Sequence, residues 1–199
     1  GIKPIIGYEA YLAPGARTAP TEARPRNPLA AILGLHRPEL RRVNLVAFVF
    51  SVAFVAMEAT LTFLAAQRFG FGARENGWLL GFLGVCAIVT QGVLVRRLLR
   101  VVSELRVLAA GLVASAAGFL LVGFAAAPWQ LYAGVGVLVF GSSLVNPSTT
   151  GLISLYAGAD EQGRVLGIFR SLGALSRAFT PVLAGVAFWV WGSPVVFVA

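Results

Sequence analysis

Residues 44–66 read NLVAFVFSVAFVAMEATLTFLAA. As a helix rising about 1.5 Å per residue, this stretch is about 34 Å long. The hydrocarbon core of a bilayer is about 30 Å thick. One charged residue, Glu58, interrupts the run, and apolar residues occupy most of its circumference. A helix apolar on nearly all sides is buried in protein or in lipid. The length favours lipid, with some tilt.

Working outward, further apolar segments occupy about 78–95, 107–127, 129–150 and 165–190. Another begins near 193 and stops at 199, too short to span, so the chain reads as cut off inside a sixth segment. Hydrophobic residues make up 58% of the chain and charged residues 12%. The mean hydropathy is +0.82. So few charges cannot cover a water-facing surface, and the expected class is an all-α integral membrane protein with the lipid bilayer as its solvent.

Residues 1–43 differ in kind. They hold six of the ten prolines (Pro4, Pro14, Pro20, Pro25, Pro28 and Pro38) and seven of the sixteen basic residues. They read as a basic, Pro-rich linker with a short helix over 29–35, leaving 44–199 as the transmembrane helical part. The net charge of +8 raises the question of nucleic acid, but its placement answers it. Arg37, Arg41 and Arg42 precede the first segment, and Arg96, Arg97, Arg100 and Arg106 follow the second. Arg164 follows the fourth. The alternate loops are poorer in arginine, so positive-inside counting puts the linker in the cytoplasm and explains the charge without nucleic acid.

The motifs of enzymes are missing. There is no nucleophile elbow, phosphate loop or dinucleotide fingerprint, and no His, Cys and carboxylate cluster with metal-ligand spacing. Neither enzyme activity, cofactor nor metal is expected. Cys86 sits within an apolar run and reads as an inert thiol.

The candidate functional residues are polar groups inside the spans. Glu58, Arg170 and Arg177 are charges whose insertion costs roughly 2.5–3.5 kcal/mol each at mid-bilayer. On the fifth segment Gly167, Arg170, Ala174, Arg177, Pro181 and Ala184 fall on one stripe, expected to face protein or a water-filled cavity. Ile168, Leu172, Leu175, Phe179 and Val182 form another, expected to face lipid or apolar neighbours. Arg170 is close enough to the segment's end to snorkel as an interface anchor or to act in function. Arg177 lies deeper. On the first segment Asn44, Ser51, Glu58 and Thr62 share a face. Glu58 either carries a proton during transport or forms a fixed ion pair with Arg177. Gly77, Gly84 and Gln91 share a face of the second segment, and Ser142, Asn146 and Thr149 one of the fourth. Pro147 removes a helical hydrogen bond there, for a functional kink or for packing alone. The candidates for a solute or proton pathway are therefore Glu58, Arg177, Asn146, Gln91, Ser51 and Arg170. Gly77-x-x-x-Gly81 and Gly167-x-x-x-Ser171 are small-residue pairs of the kind that let helices approach closely in lipid. Trp78, Trp129, Tyr132, Trp189 and Trp191 read as interfacial anchors.

One region carries a family likeness. Asn146-Pro147, then Asp160-Glu161-Gln162-Gly163-Arg164-Val165-Leu166-Gly167, then Arg177-Ala178-Phe179-Thr180-Pro181 resembles helices ten and eleven of the major facilitator superfamily, most nearly its drug–proton antiporters of the tetracycline-efflux type. Their E-x-x-G-x-x-x-G pattern is matched by Glu161, Gly163 and Gly167 with the first glycine one place early, and Thr180 stands where a glycine precedes the helix-eleven proline. The run Gln91-Gly92-Val93-Leu94-Val95-Arg96-Arg97-Leu98 is similar to the family's cytoplasmic loop motif, with Ser103 near its closing glycine. The resemblance spans about 40–199. It implies the C-terminal half of a twelve-helix transporter: helices seven to eleven, a truncated twelfth, residues 1–43 as the central loop, and an N-terminal six-helix half as partner. It also implies secondary active transport, with proton-coupled export of a small, partly hydrophobic solute by alternating access. The alternatives are uniport or symport of an organic anion, or a non-transporting membrane fragment or assembly partner. Richness in Ala, Gly, Val and Arg points to a bacterial inner membrane.

Overall fold

A computed structural model describes residues 28–35, 37–95, 98, 102–158 and 161–191. Residues 1–27 of the linker and the short apolar stretch after 192 lie outside these. Among the described residues every regular element is helical: α1 (Pro28–Leu33), α2 (Pro38–Phe69), α3 (Ala73–Val89), a π-helical turn (Thr90–Val95), α4 (Glu104–Gly123), α5 (Pro128–Tyr156) and α6 (Gln162–Trp191).

Helices α2, α4, α5 and α6 are long and apolar enough to cross a membrane. The second expected span is a composite: α3 has 17 residues and runs on into the π turn. The long helices start before the apolar segments that mark them. α2 begins at Pro38, not Asn44, because proline is preformed for the first helical turn and needs no amide partner there. Charged side chains such as Glu39, Arg41 and Arg42 then ride on helix that extends beyond the lipid core. α2 ends at Gly70, whose φ of 68° is left-handed. Its amide donates to the Ala66 carbonyl at 3.0 Å, and the Phe71 amide to Ala65 at 3.4 Å, closing the helix end.

Of four apolar clusters among the described residues, the two largest lie toward opposite ends of the bundle. Met57, Leu61 and Leu64 of α2 meet Leu79 of α3, Val122 of α4, and Leu131, Val135 and Leu138 of α5. At the opposite end Leu40 of α2, Ile153 of α5, and Val165, Ile168 and Leu172 of α6 are covered by Ala31, Ile32 and Leu35 from α1 and the residues after it. Part of the linker's sequence range is therefore ordered against α6. Arg37 secures it: its guanidinium donates to the Tyr156 carbonyl at 2.8 Å and lies 3.6 Å from the Glu161 carboxylate. At the far end Arg68 donates to the Gly123 and Ala125 carbonyls at 2.6 and 3.2 Å, a cation on the negative end of α4.

The most intimate contact is between α4 and α5. A Cβ on Gly118 would lie 2.6 Å from the Leu138 backbone, and one on Gly134 2.9 Å from the Val122 amide nitrogen. One on Gly141 would meet Ser115 and the Gly111 carbonyl. The pairs expected to pack, Gly77 with Gly81 and Gly167 with Ser171, are instead exposed, and nothing lies within 4 Å of a Cβ on any of the three glycines.

Candidate functional site

Helix α6 runs parallel to α2. Ser51 Oγ is 2.7 Å from Ser176 Oγ, and Phe63 meets Phe188 with ring centroids 6.2 Å apart. The offsets agree, since 176 − 51 and 188 − 63 are both 125. On the α5 side, Leu40 clusters with Ile153 and Phe50 with Val145, so α5 runs antiparallel to α2.

Between these three helices lies a cavity of about 230 Å³. Phe48 and Ser51 line it from α2, Asn146 from α5, and Phe169, Arg170, Gly173 and Arg177 from α6. Four of the six sequence candidates, Ser51, Asn146, Arg170 and Arg177, thus converge. Each arrives for a local reason. Arg170 and Arg177 are seven apart, two helical turns, and so share a face. Asn146 precedes Pro147, which has no amide and leaves the Ser143 carbonyl without its helical donor. Pro181 does the same to the Arg177 carbonyl. Both α5 and α6 remain continuous through their prolines.

Glu58 and Gln91 stand apart from the cavity. The offset of 125 puts Leu183 opposite Glu58 and Val52 opposite Arg177. The two charges are thus about six residues out of register, about 9 Å along the axis. They form no ion pair, and Glu58 is exposed, as are Asn146, Arg170 and Arg177. The pairing expected from two buried charges of opposite sign fails here on register. Gln91 sits, exposed, in the π turn. That turn takes more residues per revolution than an α-helix, so a face counted at α spacing slips there.

The buried seam of α6 also differs from both expected stripes. It runs through Val165, Ile168, Leu172, Ser176, Thr180 and Ala184. Ile168 and Leu172 pack on apolar neighbours, while Phe179 and Val182 are exposed. Two polar residues, Ser176 and Thr180, lie in the seam. Several buried hydroxyls are satisfied by their own helix: Ser176 donates to the Gly173 carbonyl at 2.9 Å, Thr149 to Val145 at 2.8 Å and Ser142 to Val139 at 3.0 Å, whereas those of Ser115, Ser143 and Ser148 have no hydrogen-bond partner.

Sequence reasoning missed Phe48, Phe169, Gly173 and Ser176. Gly173 had a signal: it lies three after Arg170 and four before Arg177, squarely on their face. A Cβ there would meet nothing within 4 Å. Among the described residues none lining the cavity is acidic, and no metal-competent group of His, Cys and carboxylate side chains comes together. The arrangement can hold an anionic group on two guanidiniums, an amide and a hydroxyl, beside two aromatic rings.

Helices long and apolar enough to cross a membrane, packed around an arginine-lined cavity, are those of an integral membrane protein. A family model described as Major Facilitator Superfamily matches residues 13–199, and the chain belongs to that superfamily. It is 37% identical over 158 residues to mouse major facilitator superfamily domain-containing protein 10, covering 79% of this chain and 34% of that protein. It is 31% identical over 152 residues to the class D tetracycline resistance protein of Salmonella ordonez, covering 75% and 38% respectively. The crystal structure of the human organic anion transporter MFSD10 (TETRAN) superposes with a TM-score of 0.78 at 29% identity, covering 86% of this chain and 43% of that one. The chain thus spans about a third of the length of the curated relatives it matches.

Proposed function

We propose that this chain is the C-terminal half of a secondary transporter working by alternating access, and that the cavity between α2, α5 and α6 is its share of the central solute site. The observation that carries this reading is the convergence of Arg170, Arg177, Asn146 and Ser51 on one cavity within membrane-spanning helices. Charges placed there at a cost of a few kcal/mol each are kept for a ligand or a partner. The remaining surface of the solute site comes from an N-terminal six-helix half, in keeping with the share of the relatives that this chain covers.

The solute is a small, partly hydrophobic molecule with an anionic group. The two guanidiniums favour the charge and Phe48 and Phe169 the apolar body. Similarity to a protein titled an organic anion transporter supports this. Similarity to a tetracycline resistance protein supports export. Coupling is to protons, with Glu58 as the carboxyl that loads and releases them. A second reading, uniport or symport of the organic anion, is favoured by the same two arginines. Solute flux in proteoliposomes of the full-length protein separates them. Under proton coupling, Glu58→Gln abolishes uphill transport and keeps downhill exchange, while Arg177→Gln abolishes both. Uphill transport that survives both Glu58→Gln and collapse of the proton gradient would end the antiport reading.

The arginine-bearing end, with Arg37, Arg41, Arg42, Arg106 and Arg164, is proposed to be cytoplasmic. Exposed Trp78, Trp129 and Trp189 mark the other interface. Composition supports a bacterial inner membrane. Cysteines placed at exposed Ala73 and Ser103, with Cys86 removed, test the orientation in intact bacteria. The first should react with an impermeant maleimide and the second should not; the reverse would invert the topology.

A further inference from the structure

The cavity wall between α2 and α6 contains a pair of hydroxyls whose protons are not independent. Each serine has one hydroxyl proton and two acceptor lone pairs. Ser176, buried in the α6 seam, donates to the Gly173 carbonyl at 2.9 Å. Its oxygen is then the acceptor in the 2.7 Å contact with Ser51, and Ser51 is the donor. In that state Ser51 turns a lone pair toward a cavity lined by Arg170 and Arg177.

We propose that Ser51 and Ser176 form a rotatable hydroxyl relay that gives an anion in this cavity its uncharged donor. The proposal rests on the cavity being the anion site. When an anionic oxygen enters, a lone pair on Ser51 would face it and repel it. Rotation removes the conflict. Ser176 swings its proton from the Gly173 carbonyl to Ser51 Oγ, and Ser51 swings its own proton onto the anion. No bond to hydrogen breaks, and only two C–O torsions change. The Gly173 carbonyl gives up an auxiliary contact but, as an interior helix carbonyl, keeps the Arg177 amide. The chain of two hydroxyls then polarises toward the anion, so each bond strengthens the other. With a neutral solute the resting orientation serves equally well. The relay therefore raises the preference for anions over neutral molecules of the same shape. Ser51 touches the solute, and Ser176 acts through Ser51 as a positioning residue.

The test is a ¹⁹F NMR titration of the full-length protein in lipid nanodiscs with 4-fluorobenzoate and 4-fluorobenzamide, which differ mainly in charge. The wild type should prefer the benzoate. Ser51→Ala should lower that preference about tenfold, the effect of losing one hydrogen bond to a charged group. Ser51→Thr should restore it, showing that the hydroxyl and not the fold is at issue. Ser176→Ala should lower the preference less, by about twofold, because Ser51 then donates without the polarising bond from Ser176; a preference unchanged by Ser176→Ala would leave Ser51 a lone donor and overturn the relay. Equal weakening of both probes by Ser51→Ala would make the pair a fixed clamp and overturn the relay. So would a preference untouched by Ser51→Ala yet abolished by Arg177→Gln, which would leave the anion site standing. A wild type that does not distinguish the probes would remove the anion reading itself, and the relay with it.

Discussion

Two helix pairs in this bundle solve the same problem in opposite ways. Helices α4 and α5 meet through Gly111, Ser115 and Gly118 on one side and Gly134, Leu138 and Gly141 on the other, with backbone against backbone. Helices α2 and α6 meet through a serine pair, beside a cavity of about 230 Å³. In lipid no hydrophobic drive pushes helices together, so association depends on close packing and on interhelical hydrogen bonds. The first pair uses packing so close that a Cβ on Gly111, Gly118, Gly134 or Gly141 would lie within 3.0 Å of the facing helix. The second uses a hydrogen bond and keeps polar space open. A closely packed interface has one arrangement, whereas a seam held by hydroxyls can shift by rotating them. The glycines of α4 and α5 thus form the rigid frame, and the proposed solute site lies on the adjustable seam.

The sharpest way to break this contrast is to put a side chain into the frame. A Cβ on Gly118 would come within 2.6 Å of the Leu138 Cα, a backbone atom that cannot swing away. Gly118→Leu should therefore force α4 and α5 apart and cost about 3 kcal/mol or more. Unfolding in mixed micelles, followed by tryptophan fluorescence, measures this. A loss under about 1 kcal/mol, the ordinary effect of a substitution, would mean that the frame is not rigid.

The two seams were unequally legible in the sequence. The spans were plain because apolar length answers directly to bilayer thickness. Arg170 and Arg177 could be placed on one face because a seven-residue spacing closes two turns. Ser51 and Asn146 joined them as polar residues inside apolar runs. The glycine frame was hidden by abundance: with 23 glycines, nearly every helix carries a small-residue stripe, and spacing does not say which stripe meets another. Hence Gly77 and Gly81 looked as eligible as Gly111 and Gly118. Register between helices distant in sequence was hidden for a related reason. Period fixes the face a residue occupies but not its height relative to another helix. The offset of 125 that separates Glu58 from Arg177 is set by the Ser51–Ser176 and Phe63–Phe188 contacts, which local pattern does not announce.

The smallest effect sharpens the comparison most, because it makes one substitution at two glycines. Gly173, like Gly118, is interior to a helix, but a Cβ there meets nothing within 4 Å and points at the cavity. Adding a methyl removes backbone freedom from the unfolded chain, which stabilises by about 0.5–1 kcal/mol in a helix interior. In a membrane the unfolded reference stays partly helical, so the gain belongs at the lower end of that range. At Gly118 the same gain is overwhelmed by the clash. Gly173→Ala should thus be neutral to stabilising by up to about 0.5 kcal/mol, and Gly118→Ala destabilising by about 1–3 kcal/mol. The methyl at 173 should also narrow the space between Arg170 and Arg177 and weaken 4-fluorobenzoate binding with no loss of stability. That separation of stability from binding is what a side chain added to an open site should produce. If Gly173→Ala destabilises as much as Gly118→Ala, the α2–α6 seam is as closely packed as the α4–α5 frame, and the site must be sought elsewhere in the bundle.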